Sequence, residues 1–297
     1  MKHFRLVLGA LMSVTAISIA CSTITNSPAS TPNPGQIVAP GDAAVSRQQQ
    51  TSLEITYVAN EGVLISSGGK RVLIDGLHRE YETYASLPAA QRELIETAKA
   101  PFDNIDLLLV SHMHLDHFHP ESVGLHLRHN PKTMLVSSQQ VIGEVEKHFK
   151  DYEAIKARVT GATPPLKEKV FMKVAGVDFE ILGLGHGSER HGSIQNLGHL
   201  IKLGGRKLLH VGDADTSAEI FEKFNLDEEG IDIAFLPYWF LLGDAGQTVV
   251  REHIKPKHIV AVHLPTDAEK VAGQIRKIFP DAAVFTTMLE KRHYYTK

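Results

Sequence analysis

The 297-residue chain has one cysteine, Cys21, so no disulfide can form within it and the fold must stand without covalent staples. It has no excess of basic residues: 31 Lys and Arg stand against 34 Asp and Glu, a formal net charge of −3. That balance excludes the cationic face a polyanion would need, so no nucleic-acid partner is expected. It has no comfortable membrane span, since the apolar run LVLGALMSVTAISIA over residues 6–20 is only 15 residues long. It also lacks a glycine-rich nucleotide loop. The stretch SSGGK, at 66–70, lies between two strand-like runs and not before a helix, so it reads as a hairpin turn.

What is present begins with a targeting pattern. MKHFR is a basic start, the apolar run follows, and Ser18 and Ala20 are small residues where a signal peptidase reads; residues 1–20 are therefore expected to be a signal peptide. SIAC at 18–21 resembles a bacterial lipoprotein processing site, with Ser18 in place of the more usual leucine. The resemblance implies lipidation of Cys21 and an exported protein tethered to a membrane, on its periplasmic or surface face; a soluble periplasmic product is the second reading. Residues 21–51 are rich in Ser, Thr, Pro, Gly and Gln and bury too little to offset their ordering entropy, which predicts a flexible tether. Residues 52–297 are the expected catalytic domain.

Within that domain LEITYV, GVLIS and RVLID are short β-rich runs separated by turn residues. Helical spacing follows in LPAAQRELIETAKA, and IDLLLV is a buried strand. PESVGLHLRHN predicts a helix begun by Pro120, TMLVSS a strand and QQVIGEVEKHF a helix. Strand runs come again from residue 170 to Asp213, and the tail alternates helix and strand. Strands followed by alternating units thus occur twice. The expected class is α+β: two mainly antiparallel sheets packed face to face, with helices outside, an αββα sandwich.

The densest chemistry is SHMHLDHFHP at 111–120, directly after IDLLLV. In an extended segment residues i and i+2 point the same way, so His112 and His114 can grip one cation, while Asp116 and His117 lie a step further and can face a neighbouring one. Three other polar residues end apolar strands: His186 in EILGLGH, Asp213 in KLLHVGD and His263 in IVAVH. Strand ends on one rim of a sandwich converge. Imidazoles and carboxylates suit zinc, with Mn2+ or Fe as further candidates.

Together these motifs, with Asp75 closing VLIDG, resemble the metallo-β-lactamase fold superfamily of binuclear metallohydrolases from about Leu53 to the C-terminus. The resemblance implies two Zn2+ ions in the cleft between the sheets. His112, His114 and His186 would hold the first, and Asp116, His117 and His263 the second, with Asp213 bridging. It also implies that Asp75 supports the histidine loop. His191, five residues beyond His186, is the competing ligand candidate but lies in a polar loop. His119 is expected behind the ligands or at substrate, and Tyr238 and Trp239 in PYWFLLGDAG at the substrate pocket. His199 and His210 are expected to be structural. Asp116 is the candidate proton carrier.

Within the superfamily the bridging aspartate sets the chain apart from true β-lactamases, Met113-His114 from flavodiiron oxidoreductases, and SHMHLDHFHP from the usual glyoxalase pattern. The segments ITYVANEGVLISSGGKRVLIDG, GHGSERHGSIQNLGHLIKLGGRKLLHVGDAD, IDIAFLPYW and IKPKHIVAVHLP are similar to the branch of ascorbate-phosphate lactonase and N-acyl phosphatidylethanolamine phospholipase D. The implied activity is hydrolysis of an ester, lactone or phosphodiester by a metal-bound hydroxide, on a small or lipid-like substrate. Two metals beside two carboxylates leave net positive charge, which favours an anionic substrate. The alternatives are a non-catalytic zinc-binding envelope lipoprotein and a di-iron redox enzyme on the same fold.

Overall fold

Strand and helix periodicities alternate along the chain from residue 52, and each strand run finds a place in one of two sheets. The computed structural model describes residues 52–295 apart from 80, 82 and 188. The expected signal peptide, the lipidated Cys21 and the tether lie outside the described residues. Among those residues, no helix is long and apolar enough to cross a membrane.

The first half runs β1 (Leu53–Tyr57), β2 (Val63–Ser67), β3 (Lys70–Ile74), α1 (Ala89–Glu96), β4 (Leu107–Val110), α2 (Pro120–His129), β5 (Met134–Ser137), α3 (Gln139–His148) and β6 (Val159–Gly161). The second runs β7 (Lys169–Val174), β8 (Val177–Gly185), β9 (Gln195–Leu203), β10 (Arg206–His210), α4 (Ala218–Phe221), β11 (Ile233–Pro237), α5 (Tyr238–Leu242), α6 (Asp244–Thr248), β12 (His258–Val262), α7 (Ala268–Ile278), β13 (Ala283–Val284) and β14 (Lys291–Tyr294). The sheets have seven strands each, in the orders β14-β1-β2-β3-β4-β5-β6 and β13-β12-β11-β10-β9-β8-β7.

The expected sandwich of two mainly antiparallel sheets forms, with parallel pairing entering each sheet where helices intervene. Strands joined by hairpins, β1-β2-β3 and β7-β8-β9-β10, pair antiparallel. Strands joined through helices, β3-β4-β5 and β10-β11-β12-β13, pair parallel. A crossover carries the chain back to the starting edge, so the next strand must run the same way. β14 closes the first sheet against β1, although it comes last in the chain.

Alternation along the strands builds three apolar layers. In β4, Leu107 and Leu109 face inward with Phe179, Leu208, Phe235 and Val260 of the second sheet. Leu108 and Val110 face outward, onto Val123 and Leu127 of α2 and Val141 and Val145 of α3. On the other outer face Leu209, Ala234, Leu236 and Ala261 pack on α5 and α7 through Phe240, Leu241, Val271 and Ile275. Each large side chain buried this way contributes roughly 1.5–3 kcal/mol. In β4 and β11 every residue is buried and apolar, so polar chemistry there is confined to the strand ends.

Candidate metal centre

The parallel strands end on one rim, and the chain turns there under unusual backbone constraint. Asp75, just after β3, has φ 46°, and His263, just after β12, has φ 53°. Both are left-handed, a conformation costly for ordinary side chains and tolerated best by Asp, Asn and His. Gly212, at φ 56°, precedes Asp213 after β10; a Cβ there would stand 2.5 Å from Asn196 Oδ1 and 2.7 Å from Ser111 Cβ. Only glycine permits that approach. Asn196 on β9 then latches the turn: its Oδ1 accepts the Asp213 N–H at 3.0 Å and its Nδ2 donates to the Val211 carbonyl at 3.1 Å.

These turns bring the seven expected ligands together. His112, His114, His186 and Asp213 form one group and Asp116, His117 and His263 another, with the ligand atoms of each group within 4.8 Å of one another. His114 Nδ1 lies 3.0 Å from His112 Nε2 and 3.2 Å from His186 Nε2. Asp213 faces both groups. Its Oδ2 is 3.5 Å from His186 Nε2 and 3.8 Å from His112 Nε2, and its Oδ1 is 3.3 Å from both His117 Nε2 and His263 Nε2. Asp116 Oδ2 lies 3.3 Å from His263 Nε2 and 3.6 Å from His117 Nε2.

The arrangement fits two divalent cations. Nitrogens each about 2 Å from a tetrahedral metal stand roughly 3.3 Å apart, close to the spacings of the first group. His117 Nε2, Asp213 Oδ1 and His263 Nε2 are buried without a hydrogen-bond partner. Burial, with the neighbouring imidazoles, pushes His112 well below the usual histidine range and His114 down to about 4. Their lone pairs therefore converge without protons, the state a metal ligand requires. The second group is biased the other way. Burial opposes it, but Asp213 and Asp116 carry His263 up to about 9, and Asp213 and Asp75 hold His117 well above its ordinary value. Those two imidazoliums supply the positive charge that a cation would otherwise bring to Asp116 and Asp213.

Asp75 stands behind both groups. Its Oδ1 accepts the Ser111 N–H at 2.8 Å, and its Oδ2 accepts the Ser111 hydroxyl at 2.5 Å and His117 Nδ1–H at 3.0 Å. Ser111 Oγ, its proton committed to Asp75, accepts from His112 Nδ1 at 3.0 Å. One carboxylate thus fixes the tautomer of a histidine in each group, leaving both Nε2 atoms aimed at the centre.

A residue the sequence reading missed lies alongside. Glu61, in the β1–β2 turn, is fully buried with both carboxylate oxygens unpaired, and one lies 3.7 Å from both His117 Nδ1 and His210 Nε2. Burial raises its carboxyl well above the usual range. The centre therefore encloses four carboxylates, Glu61, Asp75, Asp116 and Asp213, twice the number counted for the expected positive charge. Nothing in the string ANEG marks Glu61 as interior. His210 donates through Nε2 to the Glu61 carbonyl at 3.3 Å, and His199 is buried opposite it in β9.

The other candidates sit at different distances. His191 lies at the outer edge of the first group, its ring 4.6 Å from that of His114 and 4.7 Å from that of His186. Trp239 approaches His263 edge-on at 5.0 Å and meets Tyr238 at 5.4 Å. Tyr84, absent from the sequence candidates, approaches the same imidazole at 4.2 Å. His119 is not drawn into the centre. It precedes α2 without a side-chain capping bond and lines a separate cavity of about 350 Å3 with Met113, Leu115, Phe118 and Glu121.

The comparisons with known proteins agree with this architecture. A UPF0173 metal-dependent hydrolase of Thermus thermophilus is 26% identical over 239 residues, covering 76% of this chain and 92% of that protein. Igni18, a metallo hydrolase of Ignicoccus hospitalis, superposes with a TM-score of 0.57 at 17% identity, covering 83% of this chain and all of the other. YhfI of Bacillus subtilis, a metallo-β-lactamase fold protein, does so with 0.56 at 13%, covering 81% and 99%. The family model for the beta-lactamase superfamily domain matches residues 54–263, from β1 through the last histidine of the centre. With that match spanning most of the chain and both sheets in place, the chain belongs to the metallo-β-lactamase fold superfamily.

Proposed function

We propose that this metal-dependent hydrolase holds two adjacent divalent cations, Zn2+ by the chemistry of its ligands, and cleaves an ester, lactone or phosphodiester. The carrying observation is Asp213, whose two oxygens face the two separate ligand groups. Two cations held there would supply an acidified water and polarise the group to be attacked. The protein's part is positioning. His112, His114 and His186 supply uncharged donors on one side, and His117, His263 and Asp116 supply the other. Asp213 holds the two sides in register, and Asp75 locks the imidazoles of His112 and His117. Neighbouring charges, against the opposing effect of burial, keep Asp116 below the usual carboxylate range. It is thus ionised at the centre, suited to hold a cation and only a weak acceptor for the proton released in hydrolysis.

The similarity of four segments to the ascorbate-phosphate lactonase and phospholipase D branch supports a small or lipid-like substrate. The N-terminal pattern supports export and a lipid tether at Cys21. The mechanism is tested by His114→Ala in the purified mature domain, with bound metal measured and turnover followed on generic esters, lactones and phosphodiesters. Loss of turnover together with one equivalent of metal is expected; unchanged turnover would refute it. For the tether, Cys21→Ala should move the protein from the membrane fraction to the soluble one. Metal bound without turnover on every substrate would favour the non-catalytic reading, and iron absorption bands the redox one.

A further inference from the structure

The rim beside His263 is aromatic, and no ligand role accounts for it. Tyr84, on the segment between β3 and α1, meets the His263 ring at 4.2 Å with a 76° interplanar angle. Trp239 at the start of α5 meets the same ring at 5.0 Å and 68°. Tyr81 stacks on Tyr84 at 6.0 Å and 8°, and Tyr238 packs edge-on against Trp239 at 5.4 Å. The position of these rings is fixed. Tyr84 bridges to Pro265 through its backbone, and the Trp239 indole N–H donates to the Ala214 carbonyl, next to Asp213, at 3.2 Å. Tyr84, Tyr238 and Trp239 are only partly buried and Tyr81 is exposed, so ring surface stays open to solvent beside the reacting centre. The flank by His186 is different: the segment 187–194 is Gly-Ser-Glu-Arg-His-Gly-Ser-Ile, with no aromatic ring except the His191 imidazole.

Open aromatic surface held rigidly against a catalytic group is costly in water and is recovered when a flat apolar group covers it. We propose that Tyr84, with Tyr81, Tyr238 and Trp239, forms a specificity wall that binds a planar, apolar portion of the substrate next to the scissile bond. The substrate class is then an ester or lactone carrying an aryl or comparably flat group on that flank. This rests on the hydrolytic reading above and narrows it. Tyr84 binds through its ring face, so Tyr84→Phe keeps the function and Tyr84→Ala removes it.

Trp239 is the only tryptophan, so fluorescence excited selectively at the indole reports this wall. The experiment titrates the purified protein with benzamide and acetamide, uncharged probes differing in one ring, and follows that signal. Benzamide is expected to bind more tightly than acetamide, and Tyr84→Ala to weaken benzamide roughly three- to tenfold, the worth of one aromatic contact, with Tyr84→Phe close to wild type. Equal binding of the two probes, or a Tyr84→Ala protein with unchanged preference, would overturn the proposal. A wall that only braces His263 would weaken both probes alike and lower metal affinity, which also overturns it. His114→Ala separates this from the hydrolytic reading: it should abolish turnover while keeping the benzamide preference.

Discussion

Asp75→Asn is the perturbation that most directly tests how the centre is held. The side chain accepts three hydrogen bonds, two from Ser111 and one from His117 Nδ1. Its backbone is left-handed at φ 46°, and asparagine tolerates that conformation as well as aspartate does. The substitution therefore changes charge and one oxygen without adding backbone strain, which Asp75→Ala would add. An Asn amide can still accept from Ser111. It cannot accept at both ends, so the charge-assisted bond from His117 is lost. Such a bond contributes about 1.5–3 kcal/mol. At roughly 1.4 kcal/mol per decade, affinity for the ion held by His117 should fall about 10- to 100-fold. His112 keeps its acceptor, Ser111 Oγ, so affinity at the first position should change less than about threefold. Competition of Zn2+ between the protein and a chromogenic chelator at fixed pH resolves the two steps. Equal weakening of both steps, or of neither, would refute the orienting role assigned to Asp75.

Two further outcomes follow from single residues. Burial, opposed by the hydrogen bond to the Ile95 carbonyl, takes His126 down to about 4, so the unfolded chain, near 6.5, binds the proton first. Stability is full above pH 6.5 and lost as pH falls toward 4, about 2 kcal/mol between pH 7 and 5; denaturant melts of wild type and His126→Asn at both pH values should differ by that slope, and parallel slopes would disprove it. Co2+ added to metal-free protein should quench Trp239, whose ring lies 5.0 Å from His263, whereas Zn2+ should not, and a titration without quenching would place the ion elsewhere.

The ligand turns were readable in the sequence because each follows a run that is mostly apolar up to its end. A histidine or aspartate ending such a run is therefore conspicuous, and His186, Asp213 and His263 stand out for that reason. The same logic fails for Glu61. A carboxylate in a five-residue turn looks solvated, and only the packing of the β1–β2 turn beneath His117 and His210 buries it. Tyr84 carries no signal either, since its segment has no periodicity and gains meaning only by lying across from Pro265. The antiparallel pairs were readable because hairpin strands are contiguous in sequence, and the parallel pairs were not because helices separate them. β14 escaped notice because its partner β1 lies at the other end of the domain.

The two ligand groups, built from the same residue types, are poised oppositely toward protons, and this sets the order in which ions leave. The second group is fully buried and the first only partly, and the charge around them differs as well. His112 and His114 have mainly other imidazoles for neighbours, so they are already neutral at pH 7 and an ion there displaces no proton. His117 and His263 sit among Asp75, Asp116 and Asp213, which favour the imidazolium. An ion entering the second position must therefore expel those protons. With His263 at about 9, binding at pH 7 is weakened about 100-fold by that residue alone, and by a further tenfold for each unit of acidification. His117 steepens the dependence. Acidification from pH 8 to 6 should thus empty the position held by Asp116, His117 and His263 while the other stays filled. Metal content after dialysis at each pH, followed with His114→Ala and His263→Ala to identify the survivor, measures it. Simultaneous loss of both ions, or loss of the ion at His114 first, would mean that the carboxylates do not set the protonation of the second group.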